Sequence, residues 1–208
     1  MVVTAEALPG RAALRRRAQL LAWATVGYNA LEAVVAIGAG LVAGSVALLS
    51  FGLDSCVEVL SALAVSWQFA GRGVRSEERE GRTLRLVAVA FIALAVYVTV
   101  ESARALLFTD EHPGTSSAGI VLAAVSLLVM PVLSLAKRRT GRSLGSAAVV
   151  ADSTQTMLCT YLSGVLLIGL LLNSQLGWWW ADPVAGLVIA AVALREGLET
   201  WRGGNDCC

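Results

Sequence analysis

Two acidic residues, Asp54 and Glu58, lie four positions apart inside a long apolar stretch. This spacing puts both carboxylates on one face of a helix. A carboxylate at the centre of a membrane helix costs roughly 2.5–3.5 kcal/mol on insertion scales, and two ionised carboxylates also repel each other. A divalent cation would satisfy such a pair directly, because carboxylate oxygens are common metal ligands. The pair therefore predicts a cation site, and polar contact between helices is the alternative.

A second polar pair, Gln155 and Cys159, has the same spacing in a later apolar stretch. Both pairs stand 9 and 13 residues after the serine of a Gly-Ser dipeptide. In a helix this is a depth of roughly 14–20 Å, near the middle of a ~30 Å hydrocarbon core. The Gln155 amide oxygen and the Cys159 thiolate could complete a metal site. Packing contacts remain the alternative for both, because Cys often behaves as a small apolar residue.

Three further polar residues lie inside apolar stretches and predict a pathway for ions or protons. Asn29 and Glu32 share one face of the first stretch, being three residues apart. Glu32 could relay protons or ions, and hydrogen bonding between helices is the alternative. Asp152 precedes Gln155 by about one turn and could line an inner vestibule.

The composition indicates which elements hold these residues. Of the 208 residues 57% are hydrophobic and 15% are charged, and the mean hydropathy is +0.72. A soluble domain has about 25% charged residues, so a water-exposed globule is excluded. Six apolar stretches are long enough to cross a bilayer as helices: residues 19–42, 45–70, 86–108, 118–136, 144–172 and 182–198. The predicted fold is an all-α membrane protein with a six-transmembrane-helix bundle.

The basic residues indicate how the bundle is oriented. Arg and Lys cluster before the first stretch, after the second, after the fourth (residues 137–142) and at the end of the sixth. The opposite loops contain neither. By the positive-inside rule both termini are cytoplasmic. We expect a basic N-terminal segment (1–17), a transmembrane domain (18–200) and a short tail (201–208). The charged run 77–80 is predicted to be a solvated loop, and Asp182 an N-cap of the sixth helix.

Other classes of function find little support in the sequence. The net charge of +1 gives no reason to expect nucleic-acid binding. A single His and the absence of HExxH and GxxxxGK[ST] motifs argue against an enzyme. The four Cys do not form a disulfide framework or the spacing of a zinc finger, and the role of Cys207 and Cys208 stays open.

Three segments resemble the signatures of a known family, the cation diffusion facilitators. These are six-helix membrane transporters that export zinc and related divalent ions in exchange for protons. Residues 44–58 (GSVALLSFGLDSCVE) resemble the family's second-helix signature, and residues 151–159 (ADSTQTMLC) resemble its fifth-helix signature. The tripeptide Ala181-Asp182-Pro183 is similar to the start of its sixth helix. The resemblance covers about residues 18–200, so we expect the family's cytoplasmic domain to be missing.

The resemblance implies a function and a set of site residues. The family's metal ligands on the second helix fall on Asp54 and Glu58. Its usual fifth-helix His and Asp positions are occupied by Gln155 and Cys159. The expected function is transport of a divalent metal, zinc first, as substrate rather than as a resident cofactor, with protons exchanged. The expected setting is the lipid bilayer of a bacterial plasma membrane, with a homodimer implied. The alternative is a non-transporting membrane protein that binds a partner.

Overall fold

The computed structural model describes residues 8–70, 76–108 and 113–203, and in these ranges it contains six α-helices and no strand. They are α1 (Leu8–Ala43), α2 (Val46–Ala70), α3 (Ser76–Leu107), α4 (Ser117–Leu144), α5 (Ala147–Leu176) and α6 (Ala181–Gly203). The predicted all-α fold of six helices is thereby confirmed.

Three helices extend by about two turns or more beyond the apolar stretches predicted for them. Helix α1 begins at Leu8 rather than near residue 19, so part of the predicted basic N-terminal segment is helical. The charged run 77–80, predicted to be a loop, is part of α3. The basic residues 137–142 belong to α4, which ends only before Gly145. Glu, Arg, Lys and Leu are good helix formers, so loss of hydrophobicity alone does not end a helix. The chain leaves α4 at Gly145 because that residue adopts the left-handed conformation, with φ of 65°.

Two Gly-Ser turns join neighbouring helices in the same way. Gly44 (φ 63°) separates α1 from α2, and Gly145 separates α4 from α5. The serine that follows each glycine accepts a hydrogen bond from the backbone N–H three residues later, at 3.1 and 3.5 Å. This is the N-cap arrangement that satisfies a free donor at a helix start. The two Gly-Ser dipeptides therefore build equivalent helical hairpins.

The helices pack most extensively in three pairs, α1 with α2, α4 with α5, and α3 with α6. In both hairpins a glycine lies where the two helices pack closely. A Cβ on Gly52 would lie 2.9 Å from the Ile37 backbone nitrogen, and one on Gly141 would lie 3.0 Å from that of Val150. Small residues of this kind are typical of contacts between membrane helices. Helix α2 also contacts α3, α5 and α6, so its polar residues lie at the centre of the bundle.

The outer surface of the bundle is apolar. Large side chains such as Leu31, Val34 and Leu128 are exposed on it. Among the described residues, five helices (α1 to α5) are long and apolar enough to cross a membrane. Helix α6 is not among these five, and it has charged residues at both ends, but its 23 residues would span roughly 35 Å. A continuous apolar exterior of this kind belongs in lipid, so the protein is an integral membrane protein.

Candidate metal centre

The two carboxylates of α2 face the interior of the bundle. Asp54 is 3% exposed and Glu58 is 1% exposed. They share the buried face of α2 with Phe51 and Ser55, as the three- and four-residue spacing requires. From the start of α2 they lie at depths of roughly 12 and 18 Å. Both carboxylates are therefore removed from water near the middle of the bundle.

Cys159 of α5 lies between the two carboxylates. Its sulfur is 2.9 Å from Glu58 Oε2 and 3.3 Å from Asp54 Oδ2, and the thiol is the donor in both contacts. The residue is buried. A residue 105 positions from Asp54 in sequence is thus in direct contact with it. The structure brings together three of the four side chains that the sequence proposed as metal ligands.

The Cys159 thiol joins the carboxylates of Asp54 and Glu58 by hydrogen bonds. Among the described residues, no group of three or more His, Cys, Asp and Glu side chains has the arrangement of a preformed metal shell. The Sγ–O distances of 2.9 and 3.3 Å are hydrogen-bond distances between ligand candidates. An ion of zinc's size would replace the shared thiol proton, because zinc binds thiolate rather than thiol. The donor set, two carboxylates and one sulfur, is chemically suited to such an ion.

Gln155, the fourth predicted ligand, lies one turn before Cys159 on α5. Its Oε1 accepts a hydrogen bond of 2.7 Å from Ser61 of α2. It lines a small pocket together with Asp54, Cys159 and Glu196. The pocket volume is about 10 Å³, close to the space of a single water molecule. Gln155 is therefore beside the carboxylate–thiol cluster, with its amide oxygen directed to a hydroxyl.

Glu196 is an acidic residue at this pocket that the sequence interpretation overlooked. It lies on α6 and is only partly buried. Its position in the helical repeat could have identified it, because Ile189 and Ala193 precede it by seven and three residues and are both buried. Residues at this spacing share one face of a helix, so Glu196 follows the inward face of α6.

Glu32 of α1 lies in a separate cluster of hydroxyl groups. Its Oε2 accepts a hydrogen bond of 2.8 Å from Ser55 of α2, and its Oε1 accepts one from Ser126 of α4. The Ser126 hydroxyl also pairs with the Tyr28 hydroxyl at 2.8 Å. Asn29, one turn away, is fully buried, and its side-chain amide has no hydrogen-bond partner among the described residues. Both members of the predicted pathway in α1 are thus inside the bundle.

Asp152, the third predicted pathway residue, is part of a buried ion pair. Its Oδ2 lies 2.8 Å from Lys137 Nζ of α4, and the two side chains are 2% and 1% exposed. Lys137 also donates to Thr156 Oγ1 at 2.9 Å, and that hydroxyl donates to Glu58 Oε1 at 2.6 Å. A chain of polar contacts therefore joins Asp152 and Lys137 to the carboxylate–thiol cluster.

The burial of Lys137 differs from the sequence interpretation, which counted it among the basic residues 137–142 that mark the cytoplasmic side. Helix α4 continues through this segment and packs along α5, so its inward face is covered here. Lys137 follows Met130 and Ser134 by seven and three residues, and both are buried. The helical phase of the apolar positions could have shown that Lys137 points inward.

Asp182 caps a helix other than its own. It lies in the first turn of α6, and its carboxylate accepts a hydrogen bond of 2.5 Å from the Ser45 hydroxyl. It also accepts bonds from the backbone N–H groups of Val46 at 2.9 Å and Ala47 at 3.4 Å. These are free donors at the start of α2. The predicted structural role holds, but the helix that is capped is α2 rather than α6.

Apolar helices around a buried group of carboxylate, thiol and ammonium side chains define an α-helical integral membrane protein with a polar centre. The chain belongs to the cation efflux family, since the family's model, described as the cation efflux transmembrane domain, matches residues 85–203. That match covers more than half of the chain and includes most of α3 and all of α4, α5 and α6. The resemblance proposed from the sequence is thus confirmed.

Two curated relatives are similar over most of the chain. An uncharacterized transporter of Synechocystis sp. is 28% identical over 173 residues, which is 80% of this chain and 56% of that protein. The cation-efflux pump FieF of Shewanella oneidensis is 25% identical over 168 residues, 77% of this chain and 56% of the pump. The chain therefore spans little more than half the length of these relatives.

Proposed function

We propose that the protein is a secondary transporter of a divalent transition-metal cation, with zinc as the first candidate. The observation that carries the proposal is the contact of Cys159 with both Asp54 and Glu58 in the core of a membrane bundle. Such a group is costly in lipid unless it binds an ion or protons. The family match and the printed names of the two relatives, a transporter and a cation-efflux pump, agree with this function.

The chemistry of the donors supports a transition metal over calcium or magnesium. Asp54 and Glu58 offer oxygens, Cys159 offers a soft sulfur, and Gln155 offers a neutral amide oxygen. Hard cations prefer a shell made only of oxygen ligands, whereas zinc accepts sulfur and carboxylate together. Softer ions such as cadmium gain more from the thiolate than zinc does.

The same groups support the proposal that protons are exchanged for the metal. The Cys159 thiol donates to carboxylates, so it carries a proton that a bound metal would displace. A returning proton would restore the hydrogen bonds and release the ion. Helices α2 and α5 meet at the centre from opposite hairpins, so relative motion of the hairpins would expose the centre to one side at a time. We propose outward transport across a bacterial plasma membrane, by a homodimer.

Flux measurements in proteoliposomes test the assignment. The double variant Asp54→Asn with Glu58→Gln removes both charges with little change of shape. We expect zinc uptake, followed with a trapped fluorescent indicator, to fall at least about 100-fold. Glu199→Gln is the matched control, because it neutralises a carboxylate on α6 that is more than half exposed. Undiminished, saturable flux in the double variant would contradict the proposal.

The coupled ion needs a second measurement on the same vesicles. A trapped pH dye should report proton movement opposite to zinc movement, in the wild type and in Glu199→Gln. Zinc flux without any pH change would remove proton exchange from the proposal but leave metal transport in place.

One observation favours the alternative, a membrane protein that binds a partner and transports nothing. The thiol, both carboxylates and Thr156 already satisfy one another by hydrogen bonds. Polar groups that pair in this way can serve as contacts between helices. Thermal unfolding of purified protein separates the two functions. A ligand that binds at 100 times its Kd stabilises the folded state by about 2.7 kcal/mol. Zinc should therefore raise Tm in a transporter and leave it unchanged in the alternative.

A further inference from the structure

Lys137, the single lysine of the chain, is almost completely buried. Removal of an ammonium group from water is costly and is tolerated only with close partners. Lys137 has two, the Asp152 carboxylate at 2.8 Å and the Thr156 hydroxyl at 2.9 Å, both from α5. A cation is thus fixed inside a bundle whose other buried charges are acidic among the described residues.

The ammonium group is close to the candidate metal centre. The Thr156 oxygen is shared by its contact with Lys137 at 2.9 Å and its contact with Glu58 at 2.6 Å. Lys137 Nζ therefore lies within about 5.5 Å of Glu58 Oε1. At such a distance two charges interact strongly in a partly dry environment. A positive charge here opposes the arrival of a divalent cation at Glu58.

We propose that Lys137 is a positioning residue of the metal centre, whose fixed positive charge weakens binding of the divalent cation and so speeds its release. The inference rests on the proposed transport function. A transport site must bind its ion well enough to capture it and weakly enough to release it. Asp54, Glu58 and Cys159 without a counter-charge would hold a transition metal tightly.

Asp152 keeps the ammonium group in place. One of its oxygens pairs with Lys137, and the other, Oδ1, has no hydrogen-bond partner among the described residues. Loss of Lys137 would free the whole carboxylate and add one negative charge near Glu58. Loss of Asp152 would leave the ammonium group with Thr156 and Glu58 as its neighbours. The two substitutions should therefore change metal affinity in opposite directions. Glu32 lies in a separate cluster and is unchanged in both variants.

The experiment measures zinc and cadmium affinity of the full chain in detergent micelles, by competition with a chromophoric chelator. The variants are Lys137→Met, Lys137→Arg, Asp152→Asn and the double variant Lys137→Met with Asp152→Asn. We expect Lys137→Met to bind at least tenfold tighter and Asp152→Asn at least threefold weaker. Lys137→Arg and the double variant should stay within about threefold of the wild type, because each preserves the net charge.

A purely structural ion pair predicts a different pattern. Both single substitutions would then lower stability and leave affinity unchanged or reduced. A gain in affinity in Lys137→Met, together with lower KM and lower maximal flux in proteoliposomes, is specific to the electrostatic role. Affinity of Lys137→Met at or below that of the wild type would overturn the inference.

Two further outcomes are decisive. If Lys137→Met does not fold, unchanged affinity in Asp152→Asn, or failure of the double variant to regain wild-type affinity, overturns the inference. If the wild type binds neither zinc nor cadmium, the proposed function itself fails, and this result is distinct from any pattern among the variants.

Discussion

Two aspartates are buried in the bundle to the same degree, and their surroundings differ completely. Asp182 accepts hydrogen bonds from a hydroxyl and from two backbone N–H groups at the start of α2. Asp54 has one hydrogen-bond donor in the described part of the chain, the thiol of Cys159, and shares it with Glu58. The Asp182 carboxylate is therefore satisfied by fixed donors. The Asp54 carboxylate is satisfied by a thiol, a weak donor that can lose its proton.

The difference separates a structural carboxylate from one available to a ligand. Backbone donors cannot leave, and the positive end of a helix dipole favours the charged carboxylate at Asp182. A thiol is a weak donor and becomes an acceptor and metal ligand when it loses its proton. Burial alone therefore does not identify a functional acid in this protein. We expect the nature of its hydrogen-bond donors to identify it.

The largest expected effect is on stability. Asp182→Asn should destabilise the folded protein by about 3 kcal/mol, because it removes the charge and replaces one accepting oxygen by an NH2 donor. Either the Ser45 hydroxyl or the N–H groups of α2 then lose their acceptor. Asp54→Asn should change stability by less than about 1 kcal/mol, since it relieves repulsion with Glu58 while it removes a weak bond. Unfolding in mixed micelles measures both.

For zinc affinity the order should be reversed, with the larger effect at Asp54. Asp182→Asn, where it folds, should keep zinc affinity within about threefold, whereas Asp54→Asn should lose it. Equal destabilisation by the two substitutions, or equal loss of zinc binding, would show that the two carboxylates do not differ in the proposed way.

A smaller effect is expected from Cys159→Ser, which keeps a donor between the carboxylates but removes the sulfur ligand. Cadmium affinity should fall about tenfold or more, because cadmium is soft, and manganese affinity should change little. Competition binding with cadmium and with manganese gives the ratio of the two affinity changes. An equal loss for both ions would mean that the thiol acts as a hydrogen-bond donor only.

The smallest effect is expected from Glu32→Gln. Its carboxylate is held by hydroxyls of Ser55 and Ser126 and does not contact Cys159. We expect zinc affinity within about threefold of the wild type, with fewer protons released per zinc bound. Calorimetry in buffers of different ionisation enthalpy counts these protons. An unchanged proton count would leave Glu32 as a helix contact.

The polar faces of α2 and α5 could be predicted from the sequence. The four-residue spacing of Asp54 and Glu58, repeated by Gln155 and Cys159, predicted two polar faces at equal depth. Helix geometry fixes such relations within a segment. The Gly-Ser dipeptides before each pair fixed where those segments begin.

The spacing of residues in the sequence did not predict which distant segments come into contact. Lys137 was grouped with the basic residues that follow it. Its helical phase indicates an inward face, and packing against α5 shows that this face is covered. The contact of Asp182 with Ser45 joins positions 137 residues apart, so the local pattern could suggest only a cap of its own helix. Glu196 was overlooked because it lies near Arg195 and Glu199, in a charged part of α6.

Helix α6 has a consequence for the order in which the bundle is completed. It packs along α3 and carries the carboxylate that caps α2. Asp182 lies 136 residues after Val46, so the N–H groups at the start of α2 lack this acceptor until α6 has been synthesised. The first hairpin is therefore completed only after α6 has joined the helices made before it.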